Sequence, residues 1–284
     1  TDTRHYESEN LTLLCFNARS LVNKLIDFSC LVQCHSPSII CVTETWLNES
    51  ISENEFPPSG YSVIRNDRSS GRSGGVALFI KNDIEYTTLP DLLETESVWC
   101  KIRVCGMFIV IGTVYRPPSE DDHCILAITD YIVKQRLLDS KLILCGDFNV
   151  PYINWESFTT TGRDKVLYNS MIDFAVSHDF TQVVQSPTRG GSILDLVFVT
   201  ADLLNDDSEC EVVEGISDHN AVSVQFSIHY ELKRPEYKIL TDFSRANGEG
   251  VLSLLADSYA NFLLSSNSCG VNELVEHFGT IVSN

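Results

Sequence analysis

Several apolar segments of the sequence end directly at a residue that can bind a metal ion or move a proton. The segment LLCF is followed by Asn17, IICVT by Glu44, IVIGTV by Tyr115, and LILCG by Asp147, with Asn149 two residues further on. Because strand ends gather at one edge of packed sheets, these groups can converge on a common site.

Two further groups lie later in the chain. Asp195 is flanked by apolar residues on both sides, and burying such a carboxylate is costly unless it is paired. His219, in the segment SDHN, is the candidate partner. A carboxylate that accepts from one ring nitrogen fixes the tautomer and favours the charged imidazole, which suits a site that faces an anion.

Taken singly, these residues also have simpler interpretations. Asn17 can be a turn residue, Glu44 a solvated loop acid, and Asp147 with Asn149 an Asx turn. Their succession at strand ends favours a single site.

Composition sets limits on the function. The 284 residues are 43% hydrophobic and 21% charged, as expected for a globular protein, and the formal net charge is −19. This charge argues against bulk attraction to nucleic acid or to an anionic membrane, but it permits a carboxylate cluster around a divalent cation. No apolar run reaches the roughly 18 to 20 residues of a membrane span. The ten cysteines are not spaced as a disulfide framework, so we expect free thiols and an intracellular protein that is not secreted.

The periodicity of apolar residues predicts an α+β sandwich rather than a regular βαβ barrel. Eleven strands are predicted, near residues 11–16, 38–43, 61–65, 75–81, 97–104, 108–115, 141–145, 181–184, 193–200, 211–214 and 221–228. Helices are predicted over 21–34, 122–138, 164–178, 251–264 and 271–282. We therefore expect a polar leader over 1–10, a catalytic domain over 11–230, and a helical connector over 231–284.

The order of motifs resembles the endonuclease/exonuclease/phosphatase superfamily of metal-dependent phosphoesterases, which includes DNase I. The motifs are FNARSL, CVTETWL, GGVALFIK, VYRPP, LCGDFN, SPTRGGSILDLVF and SDHNAV, and they span residues 11–228. NARSL, TETWL and VYRPP are similar to the endonuclease domain of non-LTR retrotransposons of the Jockey and chicken-repeat group. The resemblance implies a four-layer α/β sandwich with two packed, mostly antiparallel sheets flanked by helices.

The resemblance also implies roles for individual residues. Mg²⁺ or Mn²⁺ would be held by Glu44 with help from Asn17, and Asp218 would lie close to it. The catalytic residues would be Asp147 and Asn149 at the attacking water, Tyr115 and His219 at the scissile phosphate, and Asp195 supporting His219.

Substrate contacts are expected from residues that adjoin these motifs. The predicted contacts are Arg116, Thr188, Arg189 and Ser217. The loop arginines Arg65, Arg68 and Arg72 are either solubilising charges or phosphate contacts.

The activity that the resemblance implies is nicking of duplex DNA to leave a 3′ hydroxyl that primes reverse transcription. The partners would be duplex DNA and, in the parent element, a reverse transcriptase domain and its RNA, in the nucleus or cytoplasm and without a membrane. The alternatives are a phosphatase or phosphodiesterase on lipid or small soluble phosphates, and a non-catalytic DNA-binding remnant. The rim segment 48–59 favours DNA, because it is acidic and lacks the apolar or basic character of a membrane-facing loop.

Overall fold

The computed structural model describes residues 6–52, 56–69, 73–231, 248–266, 270, 272–273 and 275–276. The chain divides into two compact units, Thr1–Leu232 and Lys233–Asn284. The division falls two residues after the domain boundary proposed from the sequence.

The first unit consists of two packed sheets with helices on their outer faces. The strands are β1 Tyr6–Asn17, β2 Ile39–Thr43, β3 Tyr61–Asn66, β4 Val76–Lys81, β5 Glu85–Thr88, β6 Glu96–Val104, β7 Met107–Tyr115, β8 Lys141–Asp147, β9 Ile153–Asn154, β10 Thr159–Thr160, β11 Phe180–Gln182, β12 Asp195–Thr200, β13 Glu209–Val213 and β14 Ala221–Glu231. The helices of this unit are α1 Leu25–His35, α2 His123–Lys134 and α3 Lys165–Ser177, with a short 3-10 helix at Ala201–Leu203. The second unit contains α4 Gly248–Ser266.

Both large sheets have six strands and are mostly antiparallel. The first has the spatial order β13-β14-β1-β2-β4-β3 and the second β11-β12-β8-β7-β6-β5, while β9 and β10 form a separate hairpin. One pair in each large sheet is parallel, β1 with β2 and β7 with β8. The α+β sandwich predicted from the sequence is confirmed.

Apolar side chains define four layers. The central core lies between the sheets, and residues such as Leu13 and Ile111 pack there from opposite sides. A second core forms where α2 and α3 cover the second sheet, with Ile128 and Met171 facing the strands. A third forms where α1 covers the first sheet around Phe28. The apolar residues therefore bury the faces of the sheets, and the strand pairing determines which strand ends meet at the sheet edge.

The structure extends the sequence prediction at several points. β1 begins at Tyr6 rather than at residue 11, because the polar residues of the expected leader pair antiparallel with β14, from Tyr6 opposite Glu231 onward. The short strands β5, β9 and β10 were not predicted. The helix predicted over 251–264 corresponds to α4, whereas most of the helix predicted over 271–282 lies outside the described residues. Within the described part of the chain, no helix is both long enough and apolar enough to cross a bilayer.

Candidate active site

The site is built on one row of residues that crosses the second sheet at its edge. Asp195 on β12 lies opposite Asp147 on β8, and Asp147 lies opposite Tyr115 on β7. Tyr115 in turn lies opposite Glu96, the first residue of β6. Each is the first or last residue of its strand, so four polar side chains occupy one line without interrupting the core.

The first sheet brings a second set of groups to the same edge. Asn17 ends β1 and lies opposite Thr43, which ends the parallel strand β2 directly before Glu44. Carboxyl ends of parallel strands meet at the same edge, which explains why residues 27 positions apart are neighbours. The Asn17 amide nitrogen donates to Glu44 Oε1 at 2.9 Å and to Asp147 Oδ2 at 2.8 Å, and it joins the two sheets.

Three titratable side chains form a buried cluster, and they belong to Asp147, Asp195 and His219. Their ligand-type atoms lie within 4.8 Å of one another. Asp195 and His219 are 0% and 2% exposed, and His219 Nδ1 lies 2.8 Å from Asp195 Oδ2. A carboxylate can only accept, so Nδ1 carries the proton and Nε2 is left for a substrate. This is the partner that the sequence predicted for Asp195.

Burial and mutual repulsion perturb this group. Burial, followed by the charge of Asp195, raises the pKa of Asp147 well above its ordinary value, against the opposing effects of His219 and the Asn17 hydrogen bond. Burial lowers the pKa of His219, but the hydrogen bond and charge of Asp195 outweigh it, so the pKa lies above its usual value. The arrangement therefore favours a proton-accepting Asp147 beside a protonated His219.

Glu44 is the partly exposed carboxylate of the site. Its Oε1 accepts from Asn17 and from the Tyr115 hydroxyl at 3.2 Å, and its Oε2 accepts from the Trp46 indole N–H at 3.1 Å. Burial, followed by the charges of Glu44 and Asp147, raises the pKa of Tyr115 far above its ordinary value. The phenol therefore stays protonated and acts only as a hydrogen-bond donor to an anion.

The donor set fits a hard divalent cation. The site has three carboxylates, of which two are buried, Asp147 and Asp195, and one is partly exposed, Glu44. Its basic side chain is His219. Asp195 Oδ1 is buried and has no hydrogen-bond partner among the described residues. Mg²⁺ is bound through one or two carboxylates and keeps several waters, which requires an open position. Glu44 is partly exposed, so a cation bound to its carboxylate could keep its waters.

The structure shows a positioning task for Asn17. The side chain is fully buried, its nitrogen bridges two carboxylates, and its Oδ1 accepts from the Arg19 backbone N–H at 2.9 Å. The amide nitrogen therefore positions Glu44 and Asp147, and the help of Asn17 in holding a metal stays a prediction, because its Oδ1 keeps a second lone pair.

Asn149 lies beside Asp147 in the Asx turn that the sequence allowed, and its part in orienting the attacking water stays a prediction. Its backbone N–H donates to Asp147 Oδ1 at 3.1 Å, which is the Asx-turn contact. Its side chain donates to the Arg116 carbonyl at 2.9 Å, and its φ of 51° lies in the left-handed region. Asn149 therefore orients Asp147 through the backbone.

Two of the four predicted substrate contacts, Arg116 and Thr188, are buried, and Ser217 is partly exposed. Arg116 is fully buried, and its guanidinium donates to carbonyls that include Phe148 O at 3.0 Å. The Thr188 hydroxyl accepts from the Asp195 backbone N–H at 3.1 Å, and the Ser217 hydroxyl donates to the Asn17 carbonyl at 2.6 Å. We therefore correct the predictions for Arg116 and Thr188, because these buried side chains bind backbone groups of the site loops, whereas the predicted substrate contact of Ser217 stays a prediction.

Arg189 is at the surface, where it shares Asp218 with Arg19. Asp218 Oδ2 lies 2.8 Å from Arg19 Nη1 and 2.6 Å from Arg189 Nη2. Partial burial raises the pKa of Asp218, but the hydrogen bond and charges of the two arginines outweigh it and hold the pKa below its usual value. Asp218 is not one of the three buried residues Asp147, Asp195 and His219, and its predicted place close to the metal stays a prediction.

Sequence reasoning missed a second ion pair behind the site. Arg68 binds Glu96 through Nε at 2.7 Å, and Glu96 Oε2 accepts from the Gly75 N–H at 2.5 Å. The Arg68 guanidinium lies over the Tyr115 ring, 5.7 Å from its centroid. Glu96 is the first residue of its strand, whereas the residues predicted from apolar segments follow such a segment at its C-terminal end.

The remaining loop arginines are not shown at the site. Arg65 pairs with Asp67 at 3.4 Å and is mostly buried, and Arg72 lies outside the described residues. Among the described residues, Arg19 and Arg189 contact Asp218 and Trp46 contacts Glu44, and all three are at least partly exposed; only Arg189 was predicted.

The two-sheet sandwich and an edge site of acids, histidine and tyrosine define a phosphoesterase-like class. The chain belongs to the Endonuclease/Exonuclease/phosphatase family, whose model matches residues 14–219. The matched segment contains every catalytic and metal-site residue predicted from the sequence.

The sequence is also similar to a protein of a mobile element. The chain is 25% identical over 172 residues to an RNA-directed DNA polymerase from the mobile element jockey of Drosophila funebris, a match that covers 58% of this chain and 18% of that protein. This chain therefore spans less than a fifth of that relative.

Solved structures share the fold. The endonuclease domain of TRAS1, a telomere-specific non-LTR retrotransposon, matches with a TM-score of 0.62 and 17% identity over 77% of this chain and 98% of that one. The AP endonuclease LMAP from Leishmania major matches with a TM-score of 0.62 and 14% identity over 76% and 87%.

Proposed function

We propose that this protein is a divalent-metal-dependent endonuclease that cuts one strand of duplex DNA and leaves a 3′ hydroxyl. The observation that carries the proposal is the pair of buried carboxylates, Asp147 and Asp195, opposed across β8 and β12 with His219 bonded to Asp195. A buried base beside a carboxylate–imidazole pair suits the attack of water on a phosphodiester.

Asp147 is the general base in this proposal. Its raised pKa brings proton acceptance closer to neutral pH than an ordinary aspartate allows. Asp147 accepts the proton that the attacking water loses, and the water oxygen forms a new bond to phosphorus. The bond between phosphorus and O3′ breaks, and O3′ takes up a proton from solvent water, which leaves a 3′ hydroxyl and a 5′ phosphate.

His219 and Tyr115 stabilise the charge that develops on the phosphate oxygens. Asp195 raises the pKa of His219 and so favours its protonated form, and Tyr115 stays protonated because burial and Glu44 raise the pKa of its phenol. Both therefore donate to non-bridging oxygens, and their positions are set before the substrate arrives.

Glu44 is the residue that would hold Mg²⁺ or Mn²⁺, because it is the partly exposed carboxylate of the site. A divalent cation bound there supplies Lewis-acid neutralisation of the phosphate charge. Asn17, Tyr115 and Trp46 fix the carboxylate in place through hydrogen bonds to its two oxygens.

The likeness to the jockey polymerase supports a role in target-primed reverse transcription. In the parent element, the 3′ hydroxyl left by the nick would prime a reverse transcriptase domain that copies its RNA. Such an enzyme reaches its DNA target in the nucleus and assembles with its RNA in the cytoplasm or nucleus.

A plasmid assay tests the activity directly. Supercoiled plasmid incubated with the protein and Mg²⁺ or Mn²⁺ should become open circular, and a DNA polymerase should extend from the nick without prior phosphatase treatment. Glu44→Ala should lose more than about 100-fold in rate, because the carboxylate of Glu44 is the one proposed to hold the metal. The matched control Glu211→Gln, an exposed acid on β13, should nick like the wild type.

The same preparation should be given inositol phosphates. Release of inorganic phosphate without plasmid nicking, with either metal, would replace the nuclease by a phosphatase. Binding of DNA without either reaction would identify a non-catalytic module.

A further inference from the structure

One carboxylate oxygen at the rim of the site is shared by two guanidinium groups. Asp218 Oδ2 accepts from Arg19 at 2.8 Å and from Arg189 at 2.6 Å. The side chains of Arg19 and Arg189 are 51% and 41% exposed, and that of Asp218 is 36% exposed. We name these two arginines the rim pair.

Short hydrogen bonds tie the rim pair to the buried site. The loop that carries Arg19 is held at its start, where the Asn17 carbonyl accepts from the Ser217 hydroxyl at 2.6 Å. The loop that carries Arg189 is held at the Thr188 carbonyl, which accepts from the Asn220 N–H at 2.7 Å. Asp218 lies between these two contacts, so three loops place both arginines next to His219.

The charge of this cluster is unusual for the molecule. Two guanidiniums and one carboxylate leave a local charge of about +1 in a chain whose net charge is −19. Lys24 adds a further cation, with Nζ donating to the carbonyls of Ala18 and Arg19 at 2.6 and 3.2 Å. Across the described residues, neither rim guanidinium has a second carboxylate partner, and the two side chains are 51% and 41% exposed, so water reaches both.

We propose that the rim pair binds a backbone phosphate next to the scissile phosphate of the DNA strand, and that Asp218 positions the two arginines. This inference rests on the proposed function. A guanidinium fork matches the geometry of phosphate oxygens and keeps several donors after pairing with one carboxylate. Fixing two long side chains before binding reduces the rotamer entropy that the complex would otherwise lose.

The position of Asp218 separates this role from that of a metal ligand. Glu44 accepts hydrogen bonds from neutral groups only, whereas the hydrogen bonds to Asp218 Oδ2 come from two cations. A cation bound at that oxygen would be repelled by both guanidiniums, which lie within 3 Å of it. Asp218 is therefore a positioning residue for phosphate recognition.

Equilibrium binding without cleavage tests the rim pair. A fluorescent 20-base-pair duplex is titrated with the protein in EDTA at several salt concentrations, and anisotropy gives Kd and its salt dependence. Arg19→Ala and Arg189→Ala should each weaken binding about 5- to 10-fold, and the double variant should lower the slope of log K against log salt by about 0.9, the value for one phosphate. Arg103→Ala, an exposed arginine on β6, is the matched control and should keep the wild-type slope.

A double-mutant cycle tests Asp218. The Mg²⁺ midpoint of nicking is measured for Asp218→Asn alone and in the Arg19→Ala/Arg189→Ala background. A positioning residue acts through the arginines, so the substitution should leave the midpoint within about twofold in both backgrounds. A midpoint more than about tenfold higher in both would make Asp218 a metal ligand and overturn its assignment.

The outcomes also separate the two proposals. If the wild type nicks plasmid but the rim variants bind with the affinity and slope of Arg103→Ala, the rim pair is not a phosphate site while the nuclease stands. If the wild type neither binds nor nicks DNA, both proposals fail. Thermal unfolding of each variant, compared with Arg19→Lys, shows that the loops remain folded.

Discussion

The indole of Trp46 fixes the carboxylate of Glu44. Its N–H donates to Glu44 Oε2, and both residues adopt positive φ values of 50° and 55°. Backbone in the left-handed region costs about 1 kcal/mol or more for such residues, and it persists because neighbouring contacts require it. Here the contact holds Glu44 toward the open side of the site.

Trp46→Phe should therefore raise the Mg²⁺ midpoint of nicking. An aromatic ring is kept and one hydrogen bond to a charged group is lost, which at about 1.5 kcal/mol corresponds to roughly tenfold. Trp155→Phe is the matched control, because the Trp155 N–H is buried and lacks a partner among the described residues. Equal midpoints for the two variants would show that Trp46 does not position Glu44.

Asp195→Asn should shift the pH profile of nicking. The charge of Asp195 contributes to the raised pKa of Asp147, and its hydrogen bond and charge raise the pKa of His219. Asp147 must be deprotonated to act as a base and His219 protonated to act as a donor. Removing the charge lowers both pKa values, so both limbs of the profile should move to lower pH.

Single-turnover nicking across pH provides the measurement. The maximal rate should also fall by about 100-fold or more, because His219 loses its charged partner. The fold should persist, since an Asn oxygen still accepts from His219 Nδ1 and its nitrogen takes the place of the unpartnered Asp195 Oδ1. A rate loss with unmoved limbs would mean that Asp195 does not tune these two groups.

At the scale of elements, a glycine brings β8 close enough to β7 to align Asp147 with Tyr115. Gly146 directly precedes Asp147 and has a φ of 143°. A Cβ at this position would collide with the Val114 carbonyl of the neighbouring strand. The glycine is therefore required by close backbone approach as well as by its dihedral angles.

Gly146→Ala should destabilise the fold by about 2 kcal/mol or more and abolish nicking, because overpacking against a strand carbonyl displaces Asp147. Gly106→Ala isolates the effect of the clash. Gly106 also has a positive φ, 79°, but a Cβ there meets nothing within 4 Å, so the cost should stay near 1 kcal/mol. Chemical denaturation measures both, and equal losses would contradict the role of the Val114 contact.

The sequence predicted elements well wherever one face of a segment is apolar. The sequence predicted the strands that end at Asn17, Tyr115 and Asp147, and the strand that ends directly before Glu44. In each of them, a run of apolar residues ends at a polar one. β5, Glu85–Thr88, escaped because it is an edge strand whose residues are mostly exposed, so it carries no apolar face.

The functions of individual polar residues were harder to predict than the elements. Arg116 and Thr188 follow or precede motif residues, as a substrate contact would, yet both bind backbone groups inside the protein. Arg19 lies in the segment FNARSL, two residues after Asn17, and nothing in that segment predicts its contact with Asp218. Its position depends on a loop 199 residues away, and only the tertiary fold shows that contact.

At the scale of the whole molecule, net charge opposes the proposed substrate. A chain of net charge −19 repels a polyanion at long range, so binding must depend on a few local cations. Such contacts release counterions and weaken as salt rises. Nicking below saturation should therefore fall steeply between about 50 and 200 mM salt, by more than tenfold if two or more phosphates are neutralised. A plasmid assay over that range measures it, and a rate independent of salt would contradict binding through arginines.

The first compact unit contains every residue assigned to the site, and its C-terminal strand is part of the first sheet. β14 pairs with β1 from Tyr6 opposite Glu231 to Cys15 opposite Val222. A chain ending after Leu232 keeps this entire ladder and should nick plasmid within about twofold of the full chain, because unchanged contacts give unchanged transition-state binding. A chain ending after Val222 retains His219 but lacks most of the strand, which leaves β1 unpaired on one side and should prevent folding. Circular dichroism and plasmid nicking of the two truncations make the comparison, and loss of activity in the longer one would place residues 233–284 in the catalytic machinery.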